Sequence, residues 1–140
     1  MVMEQLAVEI VGLCREYGEC RVEVERMEEA RRVKNALESV CSMARQRLDI
    51  SDPALLLALL DACEVTRDEG MLQEVLDVVG RNLDRLAVSV ESVKLLACCY
   101  YYVEEEECVE RAGRMLEELR KMGRGEEELA DVETILEELT

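Results

Sequence analysis

Cysteine offers the most chemistry in this sequence, which has seven of them in 140 residues. Two groups flank turns between predicted helices: Cys14 with Cys20, around Gly18, and Cys98 or Cys99 with Cys108. Adjacent helices bring Cβ atoms near the distance a disulfide needs when their faces agree, so these five residues are candidates for disulfides that staple hairpins. The alternative is that they are buried free thiols, which behave as small hydrophobic side chains.

The chain has no histidine, and this absence removes several kinds of active site. Ser-His-Asp and Cys-His catalysis need an imidazole, and so do zinc sites with two histidines. The cysteines form no Cys-x-x-Cys pair, and the run Glu104–Glu107 lacks the Asp and Gly of calcium loops. We therefore expect a protein that is not an enzyme, with no metal site, no cofactor and no small-molecule substrate.

The string Tyr100-Tyr101-Tyr102 points instead to a contact surface. Successive residues of a helix point about 100° apart, so three tyrosines cannot all face one core. Tyrosine is enriched among the residues that dominate protein interfaces. We predict partner contacts at Tyr101 and Tyr102 and at the adjoining Glu104 and Glu105. The alternative is that the tyrosine hydroxyls reach water from between helices and that the glutamates are a solvated helix start, where carboxylates are favourable.

Charge is abundant and unevenly distributed. The net charge is −16, and residues 103–140 contain fourteen acidic and five basic residues, whereas residues 1–48 are almost balanced. Such a charge repels phosphate backbones, so nucleic-acid binding is not expected. The acidic end could attract a basic protein, mimic a nucleic acid, or meet the basic stretch Arg31, Arg32 and Lys34 of a second copy. It could also serve solubility alone.

These side chains must be positioned by helices, because nearly every segment repeats its apolar residues with a period of 3.6 and none alternates. The pattern predicts seven helices. Their approximate bounds are residues 3–17, 20–48, 53–66, 71–86, 90–103, 107–122 and 126–139. The segment 21–24 could instead be a short extended piece. Gly18 is the expected end of the first helix, Ser51 or Asp52 with Pro53 the start of the third, and Ser89 the cap of the fifth. Gly123-Arg124-Gly125 should end the sixth.

An internal repeat emerges from the apolar positions. Three helices share a template at i, i+3, i+4 and i+7, and the last two units stand 37 residues apart in register. The template residues are Ala7/Ile10/Val11/Cys14, Leu56/Leu59/Leu60/Cys63 and Val93/Leu96/Ala97/Tyr100. Alternating buried and one-sided helices with a polar-faced final helix are typical of an α-solenoid with a cap.

The third template resembles the first helix of tetratricopeptide repeats. In that family a large apolar residue, Leu, a small residue and Tyr have the spacing of Val93, Leu96, Ala97 and Tyr100. The sequence departs from the family where Val109 and Gly113 replace a small and a large residue, and where its 37-residue spacing replaces 34. The resemblance implies helical hairpins and a non-catalytic protein-binding role.

Together these patterns predict an all-α fold in a single domain, residues 1–140. We expect antiparallel hairpins at residues 3–48, 53–87 and 90–122 and a closing helix at 126–139, as a solenoid-like array or a bundle. The predicted function is a protein-interaction module or scaffold. Alternatives are a self-associating, disulfide-stabilised subunit of a thermophile and an acidic mimic of nucleic acid.

The predicted environment is the cytoplasm. No apolar run approaches the ~20 residues that span a membrane, and the amphipathic N-terminal segment lacks the basic start and apolar core of a signal peptide. Fourteen Arg against three Lys, and only five Asn and Gln together, are consistent with a thermophilic source, where intracellular disulfides occur.

Overall fold

A computed structural model of the chain describes residues 3–123 and 126–139. Within these residues it contains seven α-helices and no β-strand, which confirms the predicted all-α fold. The helices are α1 (Met3–Cys20), α2 (Met27–Arg45), α3 (Pro53–Thr66), α4 (Glu69–Arg81), α5 (Val90–Val103), α6 (Glu106–Lys121) and α7 (Glu126–Leu139). Short 3-10 turns at Val24–Arg26 and Leu83–Arg85 precede α2 and follow α4.

The predicted boundary between the first two helices was wrong. Gly18 lies inside α1, which continues to Cys20, and the backbone N–H of Arg21 donates to the Tyr17 carbonyl at 2.9 Å. The Cys20 side chain in this extra turn is buried, so the end of α1 contributes apolar surface to the core. As a result α2 begins at Met27 rather than Cys20, after a turn at residues 21–22 and a 3-10 turn rather than an extended piece.

The predicted 37-residue register is confirmed by α3 and α5, whose first and last residues are each 37 positions apart. Their N-caps match as well. The side chain of Asp52 accepts from the Leu55 N–H at 3.2 Å, and that of Ser89 accepts from the Ser92 N–H at 3.0 Å. Each bond satisfies one of the backbone donors that a helix start leaves without a partner.

Both helices also end in the same way. Arg67 and Glu104, again 37 residues apart, have left-handed conformations with φ of 57° and 53°. Their N–H groups donate to the carbonyls of Cys63 and Tyr100, respectively. A left-handed residue reverses the chain after a helix, a position usually given to glycine. The sixth helix follows that usual rule, since Gly123 has φ of 73°; the predicted Arg124 and Gly125 lie outside the described residues.

Contacts between Cα atoms divide the chain into two compact units, Met1–Val78 and Val79–Thr140. In the first, α1 packs against both α2 and α3, around Leu6, Ile10, Leu37, Leu56 and Leu59. In the second, α5 packs against α6 and α7, which also contact each other, around Leu96, Ala112, Leu119 and Val132. Whether the units form a single domain stays a prediction.

Candidate interaction surface

Helix α5 is buried on most of its circumference, so its few exposed side chains stand out. Its central residues Val93, Leu95, Leu96, Ala97 and Cys99 are all buried. Glu91 and Lys94 are exposed near its start, and Tyr101 and Val103 near its end. Tyr101 is 70% exposed and Val103 41%. The end of α5 therefore presents an aromatic ring and an aliphatic side chain to solvent.

The three consecutive tyrosines diverge as helical geometry requires. Tyr100 and Tyr102 are half-buried, whereas Tyr101 is exposed. The rings of Tyr101 and Tyr102 meet edge to face, with centroids 5.2 Å apart and planes at 86°. This arrangement is a favourable one for aromatic pairs, and it supports the exposed ring from one side.

Four glutamates follow these residues directly. Glu104 is the left-handed residue that ends α5, and Glu105 is the N-cap of α6. The Glu105 side chain accepts no capping hydrogen bond, and all four side chains of Glu104–Glu107 are exposed. We call Tyr101, Val103 and Glu104–Glu107 the Tyr101 surface. It combines apolar and aromatic side chains with four carboxylates, and tyrosine is one of the residue types enriched among interface hot spots.

One cation lies at the border of this surface. The Arg111 guanidinium binds Asp84 through Nη2 at 2.6 Å and lies 3.9 Å from the Glu107 carboxylate. Its Nε is buried and has no hydrogen-bond partner in the part of the chain that the structure describes. Arg111 is thus directed mainly toward Asp84, and it neutralises at most one of the four glutamates.

A separate cavity of about 210 Å³ lies in the first unit. It is lined by Glu38, Cys41, Ser42, Arg45, Thr66, Asp68 and Met71. The lining thiol is not a candidate nucleophile, because burial raises the pKa of Cys41 to about 12 and a thiol must ionise to attack. The lining guanidinium of Arg45 is already held by Glu74 through two hydrogen bonds. No pattern in the sequence predicted this cavity.

All seven cysteines lie in the described part of the chain, and each is a free thiol. Cys14 and Cys20 both belong to α1, six residues apart. Six residues of helix rise about 9 Å, which exceeds the ~7 Å limit between the Cα atoms of a disulfide, so this pair could join only if α1 unwound. The other predicted group does come together: Cys108 and Cys98 both help raise the pKa of Cys99, after burial, to about 12.

A second thiol cluster, not predicted, lies in the first unit. Burial is the main cause that raises the pKa of Cys14 to about 11 and those of Cys41 and Cys63 to about 12. Cys14 contributes to the shift of Cys41, which contributes to that of Cys63. Since α1, α2 and α3 each supply one of these thiols, the cluster is part of the core of this unit. Its signal in the sequence was their shared position on the apolar faces.

The described residues contain no group of three or more Cys, Asp or Glu side chains that could hold a metal ion. Nor does any helix among them have both the length and the hydropathy needed to cross a bilayer. No known protein family, curated protein or solved structure matches the chain.

Proposed function

We propose that this chain is a non-catalytic protein-interaction module that holds a protein partner at the Tyr101 surface. The observation that supports the proposal is the exposed ring of Tyr101 near the end of an otherwise buried helix, followed in the sequence by the exposed Val103 and four exposed glutamates. An exposed tyrosine on a rigid helix offers a large contact area at little cost in conformational entropy.

The structure of the turn also supports this role. The edge-to-face contact with Tyr102 restrains Tyr101, and the left-handed Glu104 fixes the direction of the chain that follows. A surface that is ordered before binding loses less entropy when a partner arrives.

Site-specific photo-crosslinking tests this proposal. A photoreactive phenylalanine analogue replaces Tyr101 in the cells that make the protein, and in a matched strain it replaces Glu64. Glu64 is the exposed residue 37 positions earlier, at the same place near the end of α3. We expect a protein to be joined at position 101 and not at position 64.

The captured protein is then purified and titrated against variants of this chain. Tyr101→Ala should weaken binding by roughly tenfold, as removal of a central aromatic contact does, and Glu64→Ala should leave it unchanged. Equal crosslinking at both positions, or binding that Tyr101→Ala leaves intact, would show that the partner, if one exists, docks elsewhere.

Self-association is a second candidate, favoured by the exposed apolar side chains between α1 and α2. Val22, Val24 and Met27 are 75%, 84% and 55% exposed. Light scattering across about a hundredfold range of concentration gives the test. A dimer that the double change Val22→Ser and Val24→Ser returns to monomer supports this candidate, with Val8→Ser, on the exposed face of α1, as the control. A monomer at every concentration excludes it.

A further inference from the structure

The two matched turns have opposite charges in their supporting ion pairs. In the first unit, Arg45 at the end of α2 binds Glu74 on α4, with Nε–Oε2 and Nη2–Oε1 distances of 3.0 and 2.5 Å. In the second, Asp84 in the 3-10 turn after α4 binds Arg111 on α6. Arg111 stands 37 residues after Glu74, so the charge at this position is reversed, whereas the residue 37 positions after Arg45 is the uncharged Asn82 and not Asp84.

This reversal changes the surroundings of the turn carboxylates. Asp68, in the turn between α3 and α4, lies 3.6 Å from the Arg45 guanidinium and accepts from the Met71 N–H at 3.0 Å. Glu105 is its counterpart 37 residues later. The residue 37 positions after Arg45 is Asn82, which carries no charge, so the matched position supplies no guanidinium to Glu105. Among the described residues, the side chains of Glu104, Glu105 and Glu106 accordingly form no ion pair.

From this comparison we infer that the Tyr101 surface receives an arginine side chain from a basic segment of another protein. The inference rests on the proposed function and names the chemistry of the partner. The arginine would complete at the second turn the carboxylate–guanidinium contact that Arg45 supplies internally at the first. The exposed ring of Tyr101 provides a face on which a guanidinium can stack.

Arginine fits this surface better than lysine for two physical reasons. Its planar guanidinium donates in parallel to a carboxylate, as Arg45 does to Glu74, and it stacks on an aromatic ring. An ammonium group is a compact, strongly hydrated charge that does neither as well. Selectivity for arginine therefore distinguishes a built contact from general attraction to an acidic protein.

A second copy of this chain is a poor source of the arginine. Two copies that each carry a net charge of −16 repel each other. The most basic stretch, Arg31, Arg32 and Lys34, also stands between Glu28–Glu29 and Glu38, so it presents little net positive charge. The occupant that the charges favour is a basic segment of a different protein.

Two blocked peptides test the inference on the full chain. They are twelve residues long and identical, except that one carries four arginines where the other carries four lysines. Titration followed by amide NMR at about 0.15 M salt, where the Debye length is about 8 Å, suppresses distant charge effects. We expect the arginine peptide to bind at least about threefold more tightly and to shift the amides of residues 101–107.

Matched charge-neutralising variants locate the contact. Glu105→Gln with Glu106→Gln should weaken the arginine peptide about fivefold, the upper range for exposed ion pairs. Glu127→Gln with Glu128→Gln removes the same charge from two exposed, adjacent residues at the start of α7 and should change affinity less than twofold.

Three results would overturn the inference: equal affinity for the two peptides, equal loss with both pairs of variants, or amide shifts centred on α7. A fourth is a dimer of this chain that Glu105→Gln with Glu106→Gln dissociates, because the occupant would then be a second copy. These outcomes can be distinguished from failure of the proposed function. A protein that is crosslinked at position 101 but shows no preference for arginine would support the interaction module and overturn only the inference about arginine.

Discussion

The turns after α3 and α5 have the same backbone conformation but different side chains. Each follows a 14-residue helix, each begins with a left-handed residue, and each leads into the next helix two residues later. In the first turn Asp68 is engaged by Arg45 and by the start of α4. In the second turn Glu104–Glu106 have no such partners among the described residues, and Tyr101 stands exposed beside them.

The difference shows which residues define the path of the chain and which are free to vary. Caps, left-handed ends and buried leucines recur at the 37-residue spacing and determine the hairpin. The side chains near the helix end differ completely: the exposed Glu64 corresponds to the exposed Tyr101, and the half-buried Thr66 corresponds to the exposed Val103. The first turn thus has its carboxylate paired within the chain, whereas the carboxylates of the second turn are exposed to solvent.

The largest effect should come from the leucines that the two helices share. Leu59 and Leu96 are 37 residues apart and both 0% exposed. We expect Leu59→Ala and Leu96→Ala each to lower the free energy of unfolding by about 3 kcal/mol, through lost apolar contact and a residual cavity. Urea denaturation followed by circular dichroism measures both. A cost below about 1 kcal/mol at either site would show that the two helices are not equivalent in the core.

The next largest effect should come from the N-caps. Asp52→Ala should lower the free energy of unfolding by about 1 kcal/mol. Ser89→Ala should cost more, up to about 2 kcal/mol, because it also leaves the fully buried Ser92 hydroxyl without its 2.9 Å hydrogen bond to Ser89. Ser51→Ala, beside the first cap and exposed, is the control. Differential scanning calorimetry would detect both losses, and equal costs for the two caps would remove the role given to Ser92.

The ion pair of the first turn should produce a smaller effect that depends on pH. The Arg45 guanidinium holds the pKa of Glu74 below its usual value of 4.5. Because the folded pKa is lowered, the pair stabilises the protein fully above pH 4.5, and this stabilisation is lost as the pH falls through the folded pKa. Glu74→Gln should therefore cost less than about 1 kcal/mol at pH 7, and less still at a pH well below 4.5.

Urea midpoints of the wild type and of Glu74→Gln, measured at both pH values, give this comparison. Asp84→Asn is the matched change in the ion pair between Asp84 and Arg111. A difference between wild type and Glu74→Gln that persists unchanged at low pH would mean that the glutamate acts through packing and not through its charge.

The smallest effect concerns the left-handed helix ends. Arg67→Gly and Glu104→Gly should each stabilise the protein by less than about 1 kcal/mol, because glycine adopts positive φ without strain but loses more backbone entropy on folding. Glu64→Gly, inside α3, should instead cost about 1 kcal/mol. Thermal melts of the three variants measure these changes, and destabilisation by both left-handed substitutions would mean that the side chains of Arg67 and Glu104 matter more than their backbone.

Much of the fold could be predicted because its signals are local. Asp52 with Pro53 and Ser89 mark helix starts by their own chemistry, and the bounds of α3, α5 and α7 agree with those expected from the sequence. The prediction that α1 ends at Gly18 was wrong, because a glycine ends a helix only where the chain must turn. The helix ends instead after Cys20, a buried residue whose neighbours include Arg26 and Glu29 of the following turns.

The candidate surface was foreseen in part. Helical geometry required one tyrosine of the three to be exposed, but which one depends on where α6 and α7 pack, and Tyr102 is half-buried. The ion pair between Arg45 and Glu74 was not predicted, because 29 residues separate its partners in the sequence. No periodic pattern relates two charges so far apart, and the open carboxylates of the second turn become apparent only by comparison with the first.

The tyrosine string has a practical consequence for spectroscopy. The chain has no tryptophan, and three of its four tyrosines are consecutive at the end of α5. Its ultraviolet emission and its near-ultraviolet circular dichroism therefore come largely from one corner of the protein. A molecule that binds at Tyr101 should therefore change the tyrosine emission and circular dichroism, so binding can be measured without a label.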